Sequence, residues 1–456
     1  MSLTAIVFLL CFFMGLGMAL FRHPIFGLYT YVAAFYLDAP SRWWGQGLPT
    51  LRWSMIAALV TAVAMLRLGP ETTRPPWYKT FPAVFLMLYC TWLWIQTPWA
   101  LDPALHRECA VMFSKYIIVY YMVYRLIDSP QSAADFLLAH VVGCLYLGLI
   151  ALTTSAPGGR LDGVGGPGID DSNTLGMHAA VVTMAGAMLV FAMRDWRRYL
   201  AMASLPFILN MIVKTGSRGA FLALFMGGLT IFVLRPRENT RLFYSLAIVG
   251  VLAFGIVASD SFWARMQTIE SAAKQDQNID SSAEGRILQM KAGLVMSSEH
   301  PLGVGHRGFA VLSSAYLDPE YLDATGARSS HNTFISALVE QGYPGAALYL
   351  LLWLWVLSAC LLAHRRAKLR RPLLEVSMMS AICGGLVVVF IGGQFADFLK
   401  SEVQIWLLAA LAGFKVAQAQ PELAGDVPRG LQRQARVMGA SGATRRQNSG
   451  SSGRTL

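Results

Sequence analysis

The sequence predicts an all-α polytopic membrane protein with about 12–13 transmembrane helices and one large loop on the outer side. Three observations carry this reading. Of 456 residues, 55% are hydrophobic and only 14% are charged, where a soluble domain carries roughly 25% charged residues. The mean hydropathy is +0.48. The apolar residues fall in runs of about 15–22 without the two-residue alternation of a membrane β-barrel, so they read as helices whose backbones satisfy themselves in lipid.

Taken in order, candidate spans lie at residues 3–20, 24–38, 54–68, 81–99, 110–127, 134–153, 174–193, 199–213, 219–234, 243–258, 333–363, 376–397 and 402–417. Only Arg22-His23-Pro24 separates the first two. No Lys or Arg precedes the first run, which argues against a cleaved signal peptide and places the N-terminus outside. The run 333–363 exceeds the roughly 20 residues of one crossing, and Gly342 and Pro344 break it. Arg194-Asp195-Trp196-Arg197-Arg198, Arg235-Pro236-Arg237 and His364-Arg365-Arg366 sit in short connections. The net charge of +11 is therefore read as the positive bias of cytoplasmic loops rather than as a nucleic-acid surface.

This divides the chain into an N-terminal transmembrane region (1–153), central helices with a glycine-rich outer loop (154–258), a large outer loop (259–330), C-terminal transmembrane helices (331–417) and a basic, disordered cytoplasmic tail (418–456). Outward-facing stretches are expected at 38–51, with Trp43, Trp44 and Trp53 as interfacial anchors, at 154–173, at 214–219 and at 259–330. Within the last, residues 285–296 read as an amphipathic helix, and 301–309 as a glycine-rich turn leading back to the membrane. Cys11, Cys90, Cys109, Cys144, Cys360 and Cys383 form no CxxC or Cys/His cluster, so neither a disulfide framework nor a zinc site is expected.

Several residues run against an apolar background. Arg218 opens a membrane helix on the outer side, where its planar fork and the helix N-terminus both favour a phosphate; Lys214 and Ser217 stand beside it. Arg286 lies in the amphipathic segment and shares one side with Gln289. His331 sits where a membrane helix meets water, with an ordinary pKa near 6.5 suited to taking a proton. Asn332 is expected to cap the following helix. Glu340 is a carboxylate in an apolar context, and Lys115 an intramembrane cation that either snorkels or faces a polar cavity. Arg160 belongs to the glycine-rich outer loop. Asp170-Asp171 reads first as a helix cap.

Ser217-Arg218-Gly219 at a helix start, then a long loop, Gly303-Val304-Gly305, and His331-Asn332 followed by Glu340-Gln341-Gly342, together resemble the O-antigen ligase and polymerase superfamily over about residues 155–415. Tyr29, Asp38-Ala39-Pro40 and Arg42-Trp43-Trp44 are similar to the O-glycosylation ligases found with exosortase A systems. The resemblance implies a GT-C-like inner-membrane glycosyltransferase. Such an enzyme moves a glycan from a polyprenyl-pyrophosphate carrier to a hydroxyl of a lipid, glycan or protein on the periplasmic face, inverting, with no metal or other cofactor. It implies Arg218 and Arg286 on the pyrophosphate and His331 as the base. Lys214, Ser217, Arg160, Asn332, Glu340 and Lys115 are then expected around the substrates. A polymerase of the same superfamily and a lipid-linked glycan transporter are the alternatives. The transporter is disfavoured because the polar residues concentrate on one face, without paired broken helices in two halves.

Overall fold

In the computed structural model, residues 2–69, 74–155, 160–166, 168–238, 240–257, 281–367 and 372–425 are described. Contacts divide the chain into Met1–Phe414 and Lys415–Leu456. Of the second unit only residues 415–425 are described, as the end of the last helix. The remaining tail and residues 259–280 of the large outer loop lie outside the described residues.

The described residues form sixteen α-helices. The first ten are α1 (Leu3–Phe21), α2 (Ile25–Leu37), α3 (Trp53–Met65), α4 (Phe81–Gln96), α5 (Pro103–Leu126), α6 (Pro130–Thr153), α7 (Ser172–Ala192), α8 (Trp196–Thr215), α9 (Arg218–Val233) and α10 (Thr240–Val257). After these come α11 (Ser281–Glu299), α12 (Gly308–Tyr316), α13 (Thr333–Glu340), α14 (Gly342–Ala367), α15 (Leu373–Gly392) and α16 (Glu402–Gly425). Every expected span has a helix. Six are long and apolar enough to cross a membrane: α1, α5, α6, α7, α14 and α15. Others, such as α3 with 13 residues, extend about 20 Å, short of the roughly 30 Å hydrocarbon core. The chain is a multi-pass membrane protein.

The helix starts follow local chemistry. Asp102, Ser129, Asp171, Asp195 and Ser217 each accept backbone N–H groups of the helix they open. Helix α7 is the centre of the bundle: 94% of its apolar stretch is buried, against 28% for α1. It packs on α8, α9 and α15. Small residues set that spacing. A Cβ at Gly227 of α9 would lie 2.5 Å from Val388 and 3.2 Å from the Gly384 carbonyl of α15.

The run 333–363 is two helices, as its length demanded. Helix α13 ends at Glu340, and Gly342 turns the chain at φ +66° into α14. Gly342 lies against Gly303, itself at φ +75°; a Cβ on either would come within 2.4 Å of the other's nitrogen. Gly303 and Gly342 therefore pin the 301–307 turn against the start of α14. Gly342→Ala is expected to cost at least about 1–3 kcal/mol from backbone strain alone, seen as a lower melting temperature in detergent.

Other expectations are corrected. Residues 301–307 turn as expected, but they lead into α12 (Gly308–Tyr316) rather than directly to the membrane. Trp43 is exposed, while Trp44 and Trp53 are buried against Phe8, at 5.5 and 5.3 Å between ring centroids. They are packing residues, because α1 presents Phe8 to both. Lys115 lies midway along α5, which starts seven residues earlier than the expected span, and its side chain is exposed. Cys11 is exposed on α1 and Cys360 half-buried; the other four cysteines are buried.

Candidate functional site

Loops from distant parts of the chain meet at one end of the bundle. Arg42 donates to the carbonyls of Leu37 and Val164, at 3.2 and 3.0 Å, and so ties the 38–51 stretch to the glycine-rich loop. Leu161 N–H donates to the Lys214 carbonyl at 3.0 Å, and Leu101 N–H to that of Val304 at 2.9 Å. Thr333 N–H reaches the Gly393 carbonyl at 2.7 Å. The basic clusters at 194–198 and 235–241 lie at the opposite end, since α8 and α9 each run between the two.

Arg218 owes its place to a tight helical hairpin. Gly216, at φ +57°, ends α8, and Ser217 caps α9 from the next residue, so Arg218 is the first residue of α9. Ser217 Oγ donates to Asn173 Oδ1 at 2.9 Å, and the Arg160 guanidinium donates to the same oxygen at 2.9 Å. Arg160 thereby joins the Arg218 corner. Lys214 does not: its ammonium donates to the carbonyls of Ala151, Leu152 and Thr154 at 2.6, 3.3 and 3.3 Å, closing the C-terminus of α6.

His331 is held in a left-handed conformation at φ +48°, sparsely occupied by residues other than glycine. Its neighbours enforce it. Buried Ser330 shares a 2.6 Å hydrogen bond with Ser336 and receives the Asn332 N–H at 3.2 Å. Asn332 caps α13 as expected, accepting from Phe334 and Ile335, and its amide nitrogen reaches Gln394 Oε1 at 3.4 Å. A non-glycine residue over-determined in this way is a sign of functional placement.

The turn 393–398 gathers the three elements. Gln394 meets Asn332. The Phe395 ring lies under the Arg286 guanidinium at 5.6 Å, and it packs so closely on Gly219 that a Cβ there would be 2.6 Å away. Arg286, His331 and the start of α9 therefore border one turn. The charges acting on His331 agree. Burial pushes its pKa down, Arg328 and Arg286 push it further down, Asp171 opposes, and Arg160 again lowers it. The result is a neutral imidazole among cations. Arg328, with a buried Nε that meets no hydrogen-bond partner, was missed in the sequence; within a stretch of ordinary loop residues nothing marked it.

Glu340 belongs elsewhere. It ends α13, about 13 Å along the chain from His331 at helical rise, and its carboxylate bonds His306 Nδ1 at 3.0 Å. His306 Nε2 meets Lys400 Nζ at 3.0 Å. An ammonium can only donate, so His306 accepts at Nε2 and its Nδ1–H faces Glu340. Asp397 lies within the same field, its pKa raised by burial first and Glu340 second, with Lys400 opposing. This cluster locks the 303–308 turn to α13 and to the connection before α16. Glu340→Ala is expected to cost about 3–5 kcal/mol by stranding buried charge, and Glu340→Gln less; thermal melts of both variants check this.

Residues 203–350 match the family model described as O-Antigen ligase. Over that stretch the chain is similar to the O-antigen ligases, which supports the O-antigen ligase superfamily. The matched stretch holds Arg218, Arg286 and His331 together, while Arg160 and the 393–398 turn lie outside it. No curated protein matches the chain. The match supports a membrane function of ligase or polymerase type.

Proposed function

We propose that this protein transfers a glycan from a polyprenyl-pyrophosphate carrier to a hydroxyl acceptor, working on the periplasmic face of the bacterial inner membrane. The observation that carries the proposal is a neutral imidazole set among Arg160, Arg286 and Arg328, with Arg218 at the adjoining helix start. A diphosphate carries the complementary charge, and guanidinium forks match its oxygens. The end of the bundle opposite the basic loops is the outer one by the positive-inside rule, which supports the periplasmic assignment.

In this reading Arg218 and Arg286 hold the pyrophosphate, and Arg160 and Arg328 add positive field. The acceptor oxygen attacks the anomeric carbon from the face opposite the carrier. Its proton passes to His331, the bond from the anomeric carbon to the pyrophosphate oxygen breaks, and the electron pair leaves with the carrier. One displacement inverts the anomeric centre. The charge that builds on the leaving group is met by cations already in place, so the arrangement works by positioning and preorganised electrostatics. Ser217 and Asn332 act as helix caps that fix Arg218 and His331, Lys214 as a strut, and Glu340 as an anchor of α13. Lys115 has no part in the transfer.

Purified protein in detergent, given the carrier-linked glycan and candidate acceptors, is expected to yield a new glycosidic or glycopeptide bond by mass spectrometry. Relocation of the donor across a vesicle without a new bond would refute the proposal in favour of a transporter. Activity is expected to survive EDTA; loss restored by Mg²⁺ would point to Asp170 and Asp171 as ligands instead.

A further inference from the structure

One turn along α11 from Arg286 lies a buried amide that meets nothing. Gln289 is 1% exposed, and neither its Nε2 nor its Oε1 has a hydrogen-bond partner. Leaving both halves of a carboxamide desolvated and unpaired is costly, and such groups in a native fold call for an explanation.

Its position supplies one. Arg286, Gln289 and Gly293 are spaced three and seven residues apart and share one face of α11. At one end of that face Arg286 lies over Phe395, at 5.6 Å. At the other, a Cβ on Gly293 would lie 2.4 Å from Ile335, and Ile335 follows His331 by four residues. Along α11, Gln289 therefore lies between the residues that meet Phe395 and Ile335, and the Arg286 charge one turn away acts on the His331 imidazole.

The chemistry of the amide selects its ligand. A carboxamide presents two donors and one acceptor. Phosphate oxygens only accept, so they use half of it and repel the rest. Sugar hydroxyls both donate and accept, and a neighbouring pair satisfies both halves at once. We propose that Gln289 binds hydroxyls of the carrier-proximal sugar, making it a specificity-determining residue of the donor site. This inference rests on the glycosyl-transfer reading given above.

The test compares two ligands on the full-length protein in detergent: a polyprenyl pyrophosphate bearing its glycan, and the bare polyprenyl pyrophosphate. Gln289→Met keeps the length of the side chain and removes its polarity. It is expected to weaken the glycan-bearing ligand by about 10- to 100-fold and to leave the bare one unchanged. The ligand-free variant is expected to melt no lower than the wild type, since it buries no orphaned amide; a structural glutamine would give a lower melting temperature. Equal losses for both ligands, no loss for either, or a lower melting temperature overturns the role of Gln289 alone. Failure of the wild type to bind either ligand overturns the glycosyl-transfer reading itself, and this inference with it.

Discussion

His331→Ala is expected to lower glycan transfer by about 100- to 10,000-fold, the usual contribution of a positioned general base, while the protein still inserts and carrier-linked glycan accumulates in cells. The reason is local. The alanine variant removes the proton acceptor while leaving Ser330, Asn332 and Thr333 to hold the backbone. The pH profile carries an independent check. Burial and the Arg328 and Arg286 charges hold the His331 pKa below its ordinary 6.5, so the base stays neutral until the pH falls below that value. The acid limb of kcat/KM is therefore expected below pH 6.5. Arg328→Ala removes the largest of the opposing charges and should shift that limb upward. A bound diphosphate adds negative charge, so the limb of kcat should lie higher than that of kcat/KM. An acid limb unmoved by His331→Gln would exclude the imidazole as the base.

Arg218→Ala and Arg286→Ala are each expected to reduce transfer by roughly 100- to 1000-fold, the scale seen when one charge-stabilising donor is lost. Lysine at either position should recover only part of this, since an ammonium supplies charge without the planar fork. Because both guanidinium groups are assigned to one leaving group, the double variant should fall short of the product of the two single losses. Strictly multiplicative losses would mean that the two arginines act on separate events. Arg286 also rests on Phe395, so Phe395→Leu should weaken transfer less than Arg286→Ala does.

Much of the architecture was readable in order along the chain. The helices of the expected spans appear with ends shifted by a few residues, because a lipid-embedded helix is announced by uninterrupted apolarity and its start by a capping side chain. Asn332 and Asp171 cap where their sequence context placed them. The 214–219 stretch lies between two helices as expected, and the structure adds that Gly216 ends one and Ser217 caps the next. The large loop was harder. Helix α12 is short, and its apolar face is completed by α11 and α13, so no local periodicity stood out. Lys214 read as a ligand because a lone cation near an arginine resembles a phosphate site; that its ammonium closes α6 depends on residues about sixty positions away.

By itself, the sequence determined that the chain crosses a membrane repeatedly, that its basic loops lie together at one end, and that Arg218, Arg286 and His331 stand apart from an apolar background. Those are properties of composition and near-neighbour spacing, set by the solvation of each side chain. Only the tertiary structure decided which polar groups meet: that the 393–398 turn gathers Asn332, Arg286 and Gly219, that Arg328 and Arg160 act on the imidazole, and that Glu340 turns instead to His306 and Lys400. Charges act over a few ångströms, and the chain distances between these partners run to well over a hundred residues. Their meeting is fixed by how closely α7, α9 and α15 can pack, which no single segment encodes.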